Sequence, residues 1–462
     1  MSDLTHLLAE FFSYKAYVML PIIMLVIALG VRVPLRRALL STVTLAAGFA
    51  GVFIAFNFFV ANISPAVQQL STLRGLNFLV LDVGWPPLAA ITWASPLAAI
   101  SIPVILAVNL LMLAMGWTRT IYIDVWNYWH FALLGALVMT LSGSIWVGLL
   151  ATTMLAVYCF KLVEWTAPDV EREMGMVGIS ASPISVNGIA PFTACVDWLL
   201  DRMPVLKDID YNPEQLGKAK ADDSTIGWLE ILSEPMVIGL LMGLVLAMAA
   251  GYDTKESLEL GVHIAAVMFL LPRSAGLIGE AMVPITTALR DQVTRYFPHR
   301  KNLIVAIDTG FLMHHKSVVV TGLILMALAI MVALVLPGNQ VLPLGDLPNL
   351  ISVMSISVLM LRGNVFRAVL AGIPVVITFL LISSSMAPLI TDLAHQTPSF
   401  KSEGLGLITA FTDGGHQLRF LIFSAFQGKP WAFVVLPLVA LATWLLRNRF
   451  LRVSAQAPSG ER

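Results

Sequence analysis

The chain has 462 residues, of which 58% are hydrophobic and only 12% charged, and its mean hydropathy is +0.84. A soluble domain carries about 25% charged residues, so a soluble enzyme and a nucleic-acid-binding domain are excluded. Lys and Arg number 28, as do Asp and Glu, for a net charge of zero; the charges sit in loops between apolar runs, so their balance says nothing about a partner.

Runs able to cross about 30 Å of hydrocarbon recur in chain order at 17–30, 38–60, 88–115, 145–163, 235–250, 318–336 and 432–446, with a shorter one at 131–141. This pattern predicts an all-α, polytopic membrane protein. No basic n-region opens the chain, so no cleaved signal peptide is expected. Cys159 and Cys195 lie in or beside apolar runs and read as buried small apolar residues, without metal-ligand or disulfide spacing.

Basic residues set the orientation. Arg32, Arg36 and Arg37 follow the first run, Arg119 the third and Lys161 the fifth. More cluster over 290–301, at Arg362 and Arg367, and at Arg447, Arg449 and Arg452. The positive-inside rule assigns all of these to the cytoplasm, which puts the N-terminus in the periplasm, the C-terminus in the cytoplasm, and implies about 11 spans. The polar stretch 164–224 reads as a cytoplasmic connector containing an apolar piece at 189–200. The end of the chain, from Ser454, reads as a disordered tail.

The chain also repeats itself. At one constant offset Leu39 falls on Leu258, Val43 on Val262, Ala46 and Ala47 on Ala265 and Ala266, and Pro65 on Pro284. After a short insertion, Asp82 and Gly84 fall on Asp308 and Gly310. Further on, Gly116, Asp124 and Asn127 meet Gly338, Asp346 and Asn349, and Gly143 and Trp146 meet Gly363 and Phe366. An odd number of spans before the connector makes the second half enter with opposite polarity. The expected organisation is therefore two inverted five-helix repeats, 1–163 and 225–430, followed by a last helix and tail at 431–462. Such duplication points to a transporter with its site between the halves.

Several polar clusters interrupt the apolar chain. Gly84, Pro86 and Pro87 prevent a continuous helix through Asp82, and the same holds around Asp308 and Gly310. Irregular backbone at membrane depth survives only when buried in protein or lining a wet cavity. An aspartate there is functional or paired; the alternative is that Asp82 and Asp308 cap helices in interfacial loops. The segment from Asp124 to His130 joins Trp126, Tyr128 and Trp129 to Asp124, Asn127 and His130. Aromatic faces stack on the C–H faces of sugars and polyols, and carboxylate, amide and imidazole bond their hydroxyls. Trp85, Trp93 and Trp117 add aromatic surface, although Trp117 and Tyr128 also suit an interfacial aromatic belt. Pro337 to Asp346 and Asp413 to Gln417 read as two more non-helical polar loops. His314 and His315 are adjacent and so point in different directions on a helix, which does not favour a metal.

Taken together, Leu81-Asp82-Val83-Gly84-Trp85-Pro86, Thr92-Trp93-Ala94-Ser95, and Asp124-Val125-Trp126-Asn127 with His130 resemble the galactitol-type IIC component of the bacterial phosphotransferase system. Pro337-Gly338-Asn339-Gln340-Val341-Leu342-Pro343 with Gly345-Asp346-Leu347, Arg362-Gly363-Asn364, and Asp413 continue the likeness across most of the chain. The family is similar in fold to the ascorbate-type IIC proteins. The resemblance implies a homodimer in the inner membrane whose substrate-carrying core moves against a V-motif scaffold as an elevator. Scaffold helices would come from 17–60 and 225–272, and core parts from 61–163 and 300–430. It implies a sugar or polyol substrate, no cofactor and no metal, and phosphate delivered by a phosphocysteine of a separate IIB protein served by IIA. The substrate-binding candidates are Asp82, Trp85, Thr92, Trp93, Asn127, His130, Asp308, His315, Asn339, Gln340, Asp346, Asn364 and Asp413.

Two stretches depart from that pattern. Ser182-Pro183-Ile184-Ser185 stands where the family carries Pro-His-Gly-Thr, and Asp413-Gly414-Gly415-His416 stands where it carries Asp-Gln-Gly-Gly-Ser. A second function stays open on the same fold: an uncoupled or proton-linked transporter with Asp82, Asp308 and Asp413 as proton carriers.

Overall fold

The structure is a computed structural model that describes residues 16–74, 78–213, 231, 234–296, 302–397 and 406–455. Most of these are helical, since an α-helix satisfies its own backbone polar groups where water is absent. Five helices are long and apolar enough to cross a membrane, and shorter apolar helices accompany them.

Helix α1 (Ala16–Gly30) turns into α2 (Leu35–Arg74), and α9 (Pro235–Ala249) turns into α10 (Thr254–Tyr296). The 40 residues of α2 span about 60 Å at 1.5 Å each, twice the ~30 Å of a hydrocarbon core; α10, with 43 residues, is longer still. These two helices lie along one another. A Cβ on Gly48 would sit 2.7 Å from Ile278 and 2.9 Å from the Ser274 carbonyl, and one on Gly51 would sit 2.6 Å from the Ser274 hydroxyl. The small residues of α2 thus let two backbones approach.

The rest of the chain builds a second body. Strand β1 (Val80–Asp82) leads into α3 (Trp85–Trp93) and α4 (Pro96–Met115). The sequence predicts one helix over 88–115. It is broken because Ser95, held extended at ψ 143° by the following Pro96, cannot continue the turn. Strand β2 (Thr120–Ile121), a 3₁₀ turn (Val125–Tyr128), α5 (Trp129–Ser142), α6 (Ile145–Met174), β3 (Ile179–Ala181), α7 (Ile184–Asn187) and α8 (Ala190–Leu200) follow. The boundary read at 163 falls inside α6, whose register runs on unbroken to Met174, and Ala181, Ile184 and Asn187 are buried. After α10 come β4 (Ile304–Ile307), a second 3₁₀ turn (Thr309–His314), α11 (Lys316–Val335), β5 (Val341–Leu342), α12 (Asn349–Met360) and α13 (Val365–His395). Strand β6 (Leu407–Thr409), α14 (Phe411–Gly414), α15 (Gln417–Phe426) and α16 (Pro430–Ala455) complete it. The loop read at Asp413–Gln417 is therefore mostly helical, with His416 capping α15 by accepting from Arg419 N at 3.2 Å.

The strands are the feature that an all-α reading lacks. They form two three-stranded parallel sheets, ordered β5-β1-β6 and β2-β4-β3. In the first sheet the central strand comes from the first half of the chain and both flanking strands from the second; in the other sheet the shares are reversed. Each strand has at most four residues, too few for apolar patterning to announce it. The pairing gives these short extended segments hydrogen-bond partners for their backbone polar groups.

Cys159 is buried, but Cys195 is exposed, contrary to expectation. Trp117 is exposed, as a belt residue would be, whereas Tyr128 is buried and donates its hydroxyl to the Tyr122 carbonyl at 2.8 Å.

Candidate functional site

Where the strands end, the chain turns into helices whose first residues converge on a cavity of about 350 Å³. It is lined by Trp85 at the start of α3, Trp126 and Asn127 of the first 3₁₀ turn, and Trp129 and His130 at the start of α5. Ser185 of α7, Asp308 and Thr309 after β4, Asn349 and Ser352 at the start of α12, and Asp413 of α14 complete its polar wall. Asparagine, serine and threonine side chains can donate, and the carboxylates accept. A polyhydroxy compound, whose every hydroxyl both donates and accepts, matches such a mixture. The volume suits a small ligand, and the tryptophans supply faces for its C–H groups.

The polar atoms are held by one another. The Asn127 amide nitrogen lies 2.8 Å from an Asp124 carboxylate oxygen, 3.2 Å from Asp308 and 3.0 Å from the Ser182 hydroxyl, which itself donates to Asp124 at 2.6 Å. Thr309 and Ser352 share a hydrogen bond of 2.8 Å across the cavity wall, and Asn349 donates to the Thr412 hydroxyl at 2.8 Å. His130 Nδ1 lies 3.0 Å from Asp413 Oδ1. Behind this pair, buried Arg419 donates to the Asp413 carbonyl and, at 3.3 Å, to the His130 carbonyl. The Trp93 and Trp126 rings stack with centroids 6.3 Å apart.

Of the sequence candidates, the structure brings Trp85, Asn127, His130, Asp308 and Asp413 to the cavity. The others lie behind it or elsewhere. Asp82 is fully buried: Oδ1 accepts from Gly84 N (3.2 Å) and Phe411 N (2.9 Å), and Oδ2 from Asp346 N (2.9 Å). The Asp346 carboxylate accepts from Trp85 N at 3.1 Å, from Thr412 N at 2.9 Å and from the Thr412 hydroxyl. Both aspartates thus tie down the starts of α3 and α14. Thr92 bonds the Leu88 carbonyl within its helix, and Trp93 packs beneath Trp126. Buried His315 precedes α11. Asn339 folds the turn before β5, bonding Val341 through both amide atoms, and Gln340 lends its carbonyl to Val80 N. Asn364 caps α13 by accepting from Arg367 N at 3.1 Å.

Asn349, Ser352, Thr309, Ser185 and Arg419 were not among the candidates. The internal repeat carried the signal for two of them: the register that sets Asn127 on Asn349 sets His130 on Ser352. His416, which could have replaced the family's missing loop histidine, points instead at the Ile184 carbonyl, 3.1 Å away, from behind α7. Ser185 fills the cavity wall there.

A second cavity, of about 460 Å³, lies between the two bodies. Trp85, Asp124, Trp126 and Asp308 face Gly276, Gly279, Glu280 and Thr286 of α10 across it. Trp85, Trp126 and Asp308 therefore stand between the two spaces. Among the described residues, no cluster of three or more metal-ligand side chains occurs.

The family model for the PTS system sugar-specific permease component matches residues 10–404. A permease IIC component of Escherichia coli strain K12, named without a substrate, is 32% identical over 382 residues, 83% of this chain and 85% of that protein. The galactitol-specific EIIC components of E. coli strains K12 and O157:H7 are each 30% identical over 441 residues, 94% of this chain and 95% of theirs. The chain is a multi-pass membrane protein and belongs to the sugar-specific permease (EIIC) family of the phosphotransferase system.

Proposed function

We propose that this chain takes up a galactitol-like polyol through the inner membrane as the IIC component of a phosphotransferase system, with phosphate delivered by separate IIB and IIA proteins. The observation that carries the substrate class is the cavity of about 350 Å³ where three tryptophans meet two carboxylates, two amides and an imidazole. Its wall carries both donors and acceptors, as a chain of hydroxyls requires. The galactitol-specific relatives cover nearly the whole chain.

The same reading takes the two halves as inverted repeats and the two bodies as a V-motif scaffold and a moving core. Three features support it. The long helices α2 and α10 fall on each other at the offset that aligns Pro65 with Pro284. The two sheets exchange strands between the halves with the same order in each. The second cavity leaves Gly276 and Gly279 of α10 unobstructed opposite Asp308. A polar ligand cannot cross about 30 Å of hydrocarbon unescorted, and moving its whole cage avoids exposing its hydroxyls to lipid. A homodimer joined through the scaffolds, a periplasmic N-terminus and a cytoplasmic C-terminus belong to this proposal.

Uptake of radiolabelled galactitol into cells expressing the chain with and without its organism's IIA and IIB proteins tests it. Accumulation as a polyol phosphate only when both are present is expected. Accumulation of unmodified polyol without them would favour the uncoupled or proton-linked transporter.

A further inference from the structure

His130 and Asp413 form a buried pair with one end open to the cavity. The side chains are 5% and 1% exposed, and Nδ1 lies 3.0 Å from Oδ1. A carboxylate only accepts, so the proton between them sits on Nδ1, and the lone pair of the imidazole is on Nε2. No hydrogen bond to Nε2 occurs among the described residues, while the ring lines the cavity beside Trp129 and Asn127. Arg419 locks the arrangement from behind. One terminal nitrogen bonds the Asp413 carbonyl, and the other lies 3.3 Å from the His130 carbonyl and 3.5 Å from Asp413 Oδ1. The guanidinium balances the carboxylate's charge, as a buried ion requires. Nothing about binding a neutral polyol demands this much machinery behind one imidazole. A carboxylate that fixes the tautomer of a histidine facing a hydroxyl is the arrangement that lets the histidine take a proton.

We propose that His130 is the general base for phosphoryl transfer to the bound polyol, with Asp413 and Arg419 as its positioning residues. This rests on the phosphotransferase reading above. The attacking hydroxyl oxygen forms a bond to the phosphorus of the IIB phosphocysteine. The S–P bond breaks, and its electron pair leaves on sulfur as thiolate. The hydroxyl proton passes to His130 Nε2 and then to water when the product departs. Asp413 stays ionised and supports the imidazolium while it exists. Ser352, at the position equivalent to His130 in the second half, lacks such a partner: its hydroxyl bonds only Thr309 among the described residues. Of the two equivalent positions, only His130 carries a proton-accepting ring.

The test separates binding from transfer. Membrane vesicles holding the full chain are supplied with galactitol and with the organism's IIB protein in its phosphorylated form, and galactitol affinity and the rate of polyol phosphate formation are measured side by side. His130→Gln keeps a hydrogen-bonding amide but cannot take up a proton. It should hold galactitol within about fivefold of wild type and lose about 10²-fold or more in kcat, the usual worth of a general base. Asp413→Asn, which leaves the imidazole in place, should show the same split with a smaller loss, and it decides the matter if His130→Gln does not accumulate. Transfer at the wild-type kcat, or equal losses in affinity and in transfer, would reduce His130 to a binding residue. Wild-type protein that binds galactitol yet forms no phosphate would overturn the phosphotransferase reading and the base together.

Discussion

Asp346 donates its backbone N–H to the Asp82 carboxylate at 2.9 Å across 264 residues of sequence, and its own carboxylate accepts from Trp85 N at 3.1 Å. Each loop donates backbone N–H groups to the other's side-chain carboxylate. Their counterparts by repeat, Asp308 and Asp124, are instead bridged by one Asn127 amide and face open space. One pair of carboxylates braces the fold and the other lines the cavities.

Substitution should separate those roles. Asp82→Asn turns an amide N–H toward backbone donors and leaves at least one without a partner, at about 1–3 kcal/mol. Its midpoint of thermal unfolding in detergent should fall. Asp308→Asn should leave that midpoint near wild type and weaken polyol binding about tenfold, roughly 1.4 kcal/mol. Asp308→Asn binding galactitol like wild type would remove that residue from the site.

Gly148 packs where α5 and α6 meet. A Cβ there would sit 2.5 Å from Leu97 and 2.7 Å from the Gly135 carbonyl. Overpacking of this kind costs about 1–3 kcal/mol. Gly148→Ala should lower thermal stability, whereas Gly276→Ala, with nothing within 4 Å of the new methyl, should not.

Orientation is open to labelling. In a background with Cys159 and Cys195 replaced, a cysteine at Asp253 should react with a membrane-impermeant maleimide from the periplasm and one at Lys207 only after the membrane is opened. Periplasmic labelling at 207 would reverse the orientation and remove the case for inversion.

Motion of the core can be arrested. Val283 of α10 and Ile307 of β4 line the second cavity from opposite bodies. Cysteines at these positions joined by a short bis-maleimide should stop galactitol uptake and spare binding. Uptake at the wild-type rate with complete cross-linking would require a mechanism in which the bodies do not slide.

Much of this was legible in the sequence because membrane spans announce themselves by length and apolarity, and because similar blocks recur around Asp82 and Asp308. The break at Ser95 was there to be read from Pro96. The strands were not, because two to four residues carry no periodicity. Nor could the sequence say which aspartate serves the fold. Asp82 and Asp308 sit in similar motifs, and only the approach of Phe411 and Asp346 to the first distinguishes them. Candidates such as Asn339 and Asn364 stood out because polar residues in apolar surroundings are conspicuous, yet that polarity serves turns and caps.

The exchange of strands also has a consequence for biogenesis. Val80 pairs with Val341 and Leu407, and Val305 with Ile121 and Ile179. When β1 leaves the ribosome, neither of its neighbours has been made, so its N–H and C=O groups must wait in water or behind a chaperone until most of the chain is synthesised. The first half therefore cannot mature alone, and closing such long loops makes assembly slow. Truncation after the first half should give a species recognised by membrane quality control, and co-expression of the two halves as separate chains should restore it.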